Sequence, residues 1–319
     1  MKILKYIASA AIALTAVAAC GQSDKDAGRS PDDMLYMFTS FHEPADEGLR
    51  FLYSEDGVHW DSVPGTWLSP VLVDSIMRDP SIAIGPDGTY HLVWTEAWKG
   101  DTGFGYSSSK DLVNWTPQRR VGAMDSVAST QNLWAPELFY DDVKDQFLVV
   151  YASCVPDSNF TVGIEDPKNN HRQWYVTTKD FETFSAPKLF YDPGFSAIDA
   201  TLVKRGPEDY VMVVKDNTRP ERNIKVAFAK NVEGPYTEAS APFTENFTEG
   251  PSVAKVGDWY YIYYDTYKKF IYSAHRTKDF KTFEDVTDSI SIPSGHKHGT
   301  VFMAPRRVVD NLLKEAKKK

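Results

Sequence analysis

Four acidic side chains and one histidine recur at like places in this chain, each at the head of a short apolar run. They are Asp79 in Asp79-Pro80-Ser81-Ile82, Glu137 in Pro136-Glu137-Leu138-Phe139, Asp199 in Ile198-Asp199-Ala200-Thr201, Glu249 in Glu249-Gly250-Pro251-Ser252 and His298 in His298-Gly299-Thr300. Carboxyl groups that a fold brings together can divide acid and base work, one protonating a leaving oxygen while another activates water around an oxocarbenium-like transition state. That is the chemistry of glycoside hydrolysis. One carboxyl must then keep its proton near neutral pH, and a third carboxylate close by supplies the means, because a like charge disfavours ionisation. Asp-Pro and Gly-Pro are also common turn dipeptides, and Asp166-Pro167, Asp192-Pro193 and Glu233-Gly234-Pro235 stand away from strand heads and read as turns. Position at the head of an apolar strand is what separates Asp79 and Glu249 from them.

Scattered groups of this kind need elements that converge. Residues 90–94, 146–151, 209–214 and 259–264 are rich in aromatic and β-branched side chains and read as strands. Each follows a turn signal, such as Pro86-Asp87-Gly88 or Val256-Gly257-Asp258, and before each turn stands another apolar strand, so the unit is a hairpin. A third piece follows the hairpin in four good copies: Ser54 to Trp60, Ser109 to Trp115, Thr178 to Phe184 and Thr277 to Phe283. A degenerate copy runs from Ala229 to Tyr236. The Asp of each good copy can close a turn through its side chain, and the terminal ring can pack between neighbouring units. Five all-β units on the order of 50 residues each predict a five-bladed β-propeller rather than a sandwich. Leu35 to Phe41 reads as the second strand of a blade and His298 to Met303 as a lone last strand, so the last strand is expected to complete the first blade. The strand heads would then meet around the central channel.

The bulk composition agrees. The hydrophobic share of 42% suffices for a sizeable core, and many of the 18 Phe, 17 Tyr and 8 Trp are explained by blade packing. A formal charge of −9 without a basic stripe argues against a nucleic-acid partner. Lys2 and Lys5 precede an apolar run that stops at Val17-Ala18-Ala19-Cys20 and turns polar, which reads as a secretory signal over residues 1–19. The small residues before Cys20 resemble the lipobox of bacterial lipoproteins. Cys20 is therefore the expected lipidation site, and the protein is expected in the bacterial cell envelope, held to the membrane by its lipid alone. Residues 20–33 would be a flexible tether, 34–308 the propeller, and 309–319 a basic tail whose Leu312 to Lys319 form a short exposed helix. Cys154 lies in an apolar strand and reads as buried, with no catalytic role.

With their neighbours, the five strand heads carry a resemblance. Met77-Arg78-Asp79-Pro80-Ser81-Ile82, Leu133-Trp134-Ala135-Pro136-Glu137, Ala197-Ile198-Asp199-Ala200-Thr201, Thr248-Glu249-Gly250-Pro251-Ser252-Val253 and His298-Gly299-Thr300-Val301, in that order, resemble glycoside hydrolase family 43, a family of five-bladed propellers. The resemblance covers residues 35–305. It implies that Asp79 is the general base, Glu249 the general acid, and Asp199 the group that raises the acid's pKa and holds its orientation. It also implies inversion in a single displacement, with base and acid carboxyls about 6.5–9.5 Å apart. Glu137, beside Trp134, would accept hydrogen bonds from sugar hydroxyls. His298 would be a hydrogen-bonding group; some relatives keep a calcium or another ion in the channel near it, and any metal here would be structural or electrostatic, so no cofactor is required. Trp134, Trp98, Phe41, Phe195 and Tyr267 are candidate stacking walls, and Lys215 a cation over the pocket. The family's main substrates are α-L-arabinofuranosides and β-D-xylosides, with some galactofuranosides, and the segment around Lys215-Asp216 looks more like the arabinofuranosidase and galactofuranosidase branch. No β-sandwich follows the last strand of this sequence, which favours exo action. The expectation is thus a monomeric exo-α-L-arabinofuranosidase acting on oligosaccharide or polysaccharide, with a β-D-galactofuranosidase or β-D-xylosidase as the alternative. The contrasting class is a non-catalytic glycan-binding propeller, against which the intact set Asp79, Asp199 and Glu249 argues.

Overall fold

Because a tight turn follows each apolar run, each strand pairs with its sequence neighbour. The computed structural model describes Ser30 and residues 32–318, and its strands form five antiparallel sheets. Blade 1 contains β1 (Met34–His42), β2 (Leu49–Ser54) and β3 (Asp61–Leu68). Blade 2 runs β4 (Arg78–Ile84), β5 (Tyr90–Thr95), β6 (Phe104–Ser109) and β7 (Arg119–Val121). Blade 3 runs β8 (Trp134–Asp141), β9 (Gln146–Cys154), β10 (His171–Thr178) and β11 (Lys188–Tyr191). Blade 4 has β12 (Ala197–Gly206), β13 (Asp209–Asp216) and β14 (Asn223–Ala229). Blade 5 has β15 (Glu249–Val256), β16 (Trp259–Thr266), β17 (Ile271–Thr277) and β18 (Glu284–Asp285). The chain then returns to blade 1, where β19 (His296–Lys297) and β20 (Val301–Pro305) pair with the two ends of β1, as expected for closure. Around the axis β4 neighbours β8, β8 neighbours β12, β12 neighbours β15, β15 neighbours β20 and β20 neighbours β4, which completes a five-bladed propeller.

The recurring turn does what its residue types suggest. Asp111 Oδ1 accepts from the backbone N–H of Val113 and Asn114 at 2.9 and 2.8 Å, while Ser109 Oγ takes the N–H of Leu112 at 2.8 Å. The same three bonds recur with Asp180 and Thr178, and with Asp279 and Thr277. These turns deliver a ring to the seam with the preceding blade. Trp60 meets Phe38 and Tyr263 edge-on at 5.6 Å each, Phe184 reaches Phe104 of blade 2 at 6.1 Å, and Tyr236 reaches Phe190 of blade 3 at 5.2 Å. Five apolar clusters result, one at each seam, and each fully buried large side chain in them contributes about 1.5–3 kcal/mol.

The C-terminal segment differs from its expectation. A helix, α1 (Arg306–Ala316), starts directly after β20, and Val309 and Leu312 are buried in the cluster between blades 1 and 2. The spacing of Val309, Leu312 and Leu313 gives one apolar stripe, so the helix docks instead of standing free in solvent. Blades and helix together make one compact unit, Pro31–Lys319. Cys154 is buried, with its Sγ 2.9 Å from the carbonyl of Pro167, and burial pushes the thiol up to about 11. The signal segment, Cys20 and the tether through residue 29 lie outside the described residues.

Candidate active site

Four inner strands begin with the same irregularity. The register with the second strand skips between Arg78 and Ser81, Trp134 and Glu137, Ile198 and Thr201, and Glu249 and Ser252. In each, the second residue takes a left-handed backbone: Asp79 (φ 52°), Ala135 (φ 45°), Asp199 (φ 53°) and Gly250 (φ 58°). A bulge bends the strand and re-aims its side chains, and a non-glycine residue held there costs about 1–3 kcal/mol. Asp79 and Asp199 occupy the bulge residue itself, Glu249 the position before it, and Glu137 the second position after it. The acids therefore enter the channel at different points although their strands are equivalent. Gly250 is required for a steric reason too, since a Cβ there would fall 2.0 Å from the His298 ring.

Around the axis these groups pair. His298 Nε2 lies 2.6 Å from Asp79 Oδ1, and Thr95 Oγ1 donates to Asp79 Oδ2 at 2.8 Å while accepting from the N–H of Ala135 at 2.8 Å. Asp199 Oδ2 accepts from the N–H of Gly250 at 3.2 Å. Lys215 Nζ donates to Glu249 Oε2 at 2.8 Å. Asp79, Glu137, Asp199 and His298 line one axial cavity of about 20 Å³, space for a single water-sized molecule, so a sugar ring must lie over it and not within it. Glu249 is more open to solvent than Asp79, its side chain 26% exposed against 11%.

The charges follow from these pairs. Burial disfavours a charged Asp79, but the His298 imidazolium outweighs it and holds the carboxyl at about 2. Burial likewise opposes the charge on His298, and Asp79, aided by Asp199 and Glu249, lifts it to about 9. Asp199 is raised, by burial first and then by the charges of Glu249 and Asp79, against the pull of His298 and Lys215. Burial also works to raise Glu249, yet the Lys215 ammonium prevails and leaves it below the ordinary carboxyl value. In the free site Lys215 thus holds Glu249 down, while burial and the charges of Glu249 and Asp79 hold Asp199 up.

Comparison with known proteins fits this geometry. Residues 32–308 match the glycosyl hydrolase 43-related family, described as a probable glycosyl hydrolase domain. The chain belongs to this family. It is 29% identical to an α-L-arabinofuranosidase of Bifidobacterium longum subsp. longum over 147 residues, which are 41% of this chain and 14% of that much longer relative. Among solved structures, the α-L-arabinanase of Cellvibrio cellulosa, in complex with arabinohexaose, superposes with a TM-score of 0.59 at 13% identity, over 81% of this chain and 95% of that one. An α-L-arabinofuranosidase of Podospora anserina, in complex with cellotriose, gives 0.51 at 13%, over 70% and 71%. At such identities the superpositions establish the fold.

Within this glycosyl hydrolase the substrate contacts expected from sequence divide. Glu137 lines the axial cavity, but its oxygens accept from Thr201 (2.6 Å), Ser81 (2.8 Å) and Thr300 (3.0 Å). It ties hydroxyls from three other blades into a girdle and lacks the freedom expected of a sugar acceptor. Phe41 is wholly buried, capped by the Arg78 guanidinium at 4.9 Å, so it backs the His298 ring at 6.1 Å and cannot be a stacking wall. Lys215 is also buried and belongs to the carboxylate cluster instead of the rim. Trp98, half exposed, stacks on Trp134 at 5.4 Å, and Trp134 stacks in turn on buried His171 at 4.8 Å, a layered aromatic patch beside the channel. Phe195 lies under Lys225 Nζ at 4.6 Å, and Tyr267 flanks Lys215 Nζ at 5.3 Å. His298 Nε2 is engaged by Asp79, and among the described residues no group of three or more His, Cys, Asp or Glu side chains is arranged to hold a metal.

Sequence reasoning missed Thr95, which secures Asp79, and the Lys297–Asp265 pair at 2.6 Å beside Glu249. It also missed Glu96, next to Thr95 and wholly buried, whose Oε1 lies 3.4 Å from Arg120 Nε. Burial, then Asp101, push its carboxyl up to about 8. A carboxyl raised on folding retains a proton that the unfolded chain releases at lower pH, so stability is lost as pH rises from the ordinary value through about 8. Glu96→Gln, neutral throughout, is expected to melt progressively higher than the native protein as pH rises from about 5 to 9. A melting-temperature difference that stays constant across that range would refute the shifted carboxyl.

Proposed function

We propose that this glycoside hydrolase is an inverting exo-enzyme removing terminal α-L-arabinofuranosyl residues, with Asp79 as base and Glu249 as acid. The observation that carries the reading is the charge division in the channel. One carboxylate, Asp79, is held ionised by His298, while burial and the neighbouring carboxylates favour a proton on Asp199 and Lys215 Nζ pairs with Glu249. A water beside Asp79 gives it a proton as its oxygen bonds the anomeric carbon. The glycosidic C–O bond breaks, and its oxygen takes the proton of Glu249, which is more exposed than Asp199. Asp199 accepts from the N–H of Gly250, the residue after the acid, which ties the head of β12 to the head of β15. Return of the proton from Asp79 through solvent to Glu249 resets the site. The arabinofuranosyl preference draws on the name of the Bifidobacterium relative.

A panel of aryl glycosides given to protein lacking residues 1–19 tests the reading. The expected order is arabinofuranoside first, with β-arabinofuranose the first anomer seen by NMR, and with Glu249→Gln inactive on unactivated substrates. Preference for the xyloside or galactofuranoside would replace the sugar, and turnover of none would leave a glycan-binding propeller. We also propose that Cys20 carries lipid in the bacterial envelope. Cys20→Ser should move the protein from the membrane fraction to the soluble one, and a membrane-bound variant would contradict the anchor.

A further inference from the structure

In blades 2 to 5 one position of the second strand stands opposite the residue where the bulge begins. Thr95 on β5 pairs with Arg78, Ala152 on β9 with Trp134, Lys215 on β13 with Ile198 and Asp265 on β16 with Glu249. Three of these side chains cross to the following blade. Thr95 Oγ1 accepts from the N–H of Ala135, Lys215 Nζ donates to Glu249, and Asp265 accepts from Lys297 Nζ. Ala152 has no polar side-chain group to offer. Thr95 also bonds the acid of its own blade, at Asp79 Oδ2.

Chemistry fixes the direction of both bonds. A threonine hydroxyl has one proton, and an amide N–H can only donate. The N–H of Ala135 therefore occupies a lone pair of Oγ1, and the single hydroxyl proton points at Asp79 Oδ2, each bond being 2.8 Å long. Thr95 is buried, and its branched side chain is stiff at the first torsion, so it holds the left-handed bulges at Asp79 and Ala135 at one separation. The oxygen it holds is the working one. Asp79 Oδ1 is closed to solvent and lies 2.6 Å from His298 Nε2, so a proton taken from water has to arrive at Oδ2.

We infer that Thr95 is the positioning residue of the base: it aims Asp79 Oδ2, the oxygen that takes the water's proton, and sets that aim against blade 3. The inference rests on the assignment of Asp79 as base. Thr95→Val keeps the shape and removes both bonds, and should lower kcat by about 10- to 100-fold while KM stays within about twofold of native. Thr95→Ser restores the hydroxyl and should recover kcat to within about threefold of native. Thr95→Cys, whose thiol donates and accepts weakly, should fall between them and replaces Thr95→Val if that variant does not fold. The charged and titratable groups around Asp79 are Arg78, Glu137, Asp199, Glu249, Tyr272 and His298, and all of them remain in these variants. Loss of a bond that favours the carboxylate raises Asp79 from about 2, so the acid limb of kcat/KM should move up by about 1–2 units in Thr95→Val and stay in place in Thr95→Ser. Native kcat and an unmoved limb in Thr95→Val, beside an inactive Asp79→Asn, would overturn the inference and leave the base standing. A loss of kcat that Thr95→Ser shares in full, with the limb unmoved in both, would reduce Thr95 to packing. Activity retained by Asp79→Asn would remove the base, and the role of Thr95 with it.

Discussion

Asp79→Asn is expected to reduce kcat by about 10²–10⁴-fold on every glycoside the protein hydrolyses, the range typical for loss of a general base. Asn is the informative replacement because it tolerates the left-handed backbone that Asp79 adopts at φ 52°, so the bulge that aims the side chain survives. Thr95 can still donate to the amide oxygen. Two things are lost: the acceptor for the water's proton, and the charge that lifts His298. Without its partner the buried imidazole should fall from about 9 toward or below its ordinary value, since burial works against its charge. One NMR titration of the His298 ring, run on the native protein and on the Asp79→Asn variant, therefore checks the ion pair independently of turnover. Activity within tenfold of native, in a variant with an unchanged melting temperature, would remove Asp79 from the base role.

What could be read in advance divides by distance along the chain. The turns closed by Asp111, Asp180 and Asp279 were legible because all their bonds lie within three residues, and a local pattern of Ser or Thr, then Asp, carries the whole mechanism. Two of the decoys were legible for the same reason, since Asp166 caps a short helical turn at the N–H of Lys168 and Asp192 Oδ1 accepts from the N–H of Gly194, whereas Glu233 pairs with the distant Lys144. The girdle around Glu137 was not, because Ser81, Thr201 and Thr300 reach it from three other blades and no spacing encodes that meeting. Thr95 was hidden behind a bulge, which breaks the two-residue alternation that would have placed it against Asp79. Phe41 misled by type: a ring at a strand end near the channel reads as a sugar platform until Arg78 is found across its face. The docked helix shows the opposite failure, in which a basic tail hides an apolar stripe at Val309 and Leu312.

Lys215 is the cation paired with Glu249, and its removal should therefore move the pH profile. In Lys215→Met the opposing cation is gone, so ionisation of Glu249 becomes less favourable and the proton affinity of the Asp199 and Glu249 pair rises. The acid then stays protonated to higher pH. The basic limb of kcat/KM, which reports the free enzyme, should shift upward by about 1–3 units. The same change leaves a buried carboxylate unpaired wherever Glu249 is ionised, which costs about 3–5 kcal/mol for a buried pair broken on one side. That cost should vanish at low pH, where the carboxyl is neutral, so the melting temperature of Lys215→Met should approach the native value as pH falls. Lys215→Arg keeps the cation and should leave the limb near its native position, separating charge from packing. A basic limb that stays put in Lys215→Met, while Glu249→Gln still abolishes activity, would mean that Lys215 only fills space beside the acid and that Asp199 alone sets when it holds its proton.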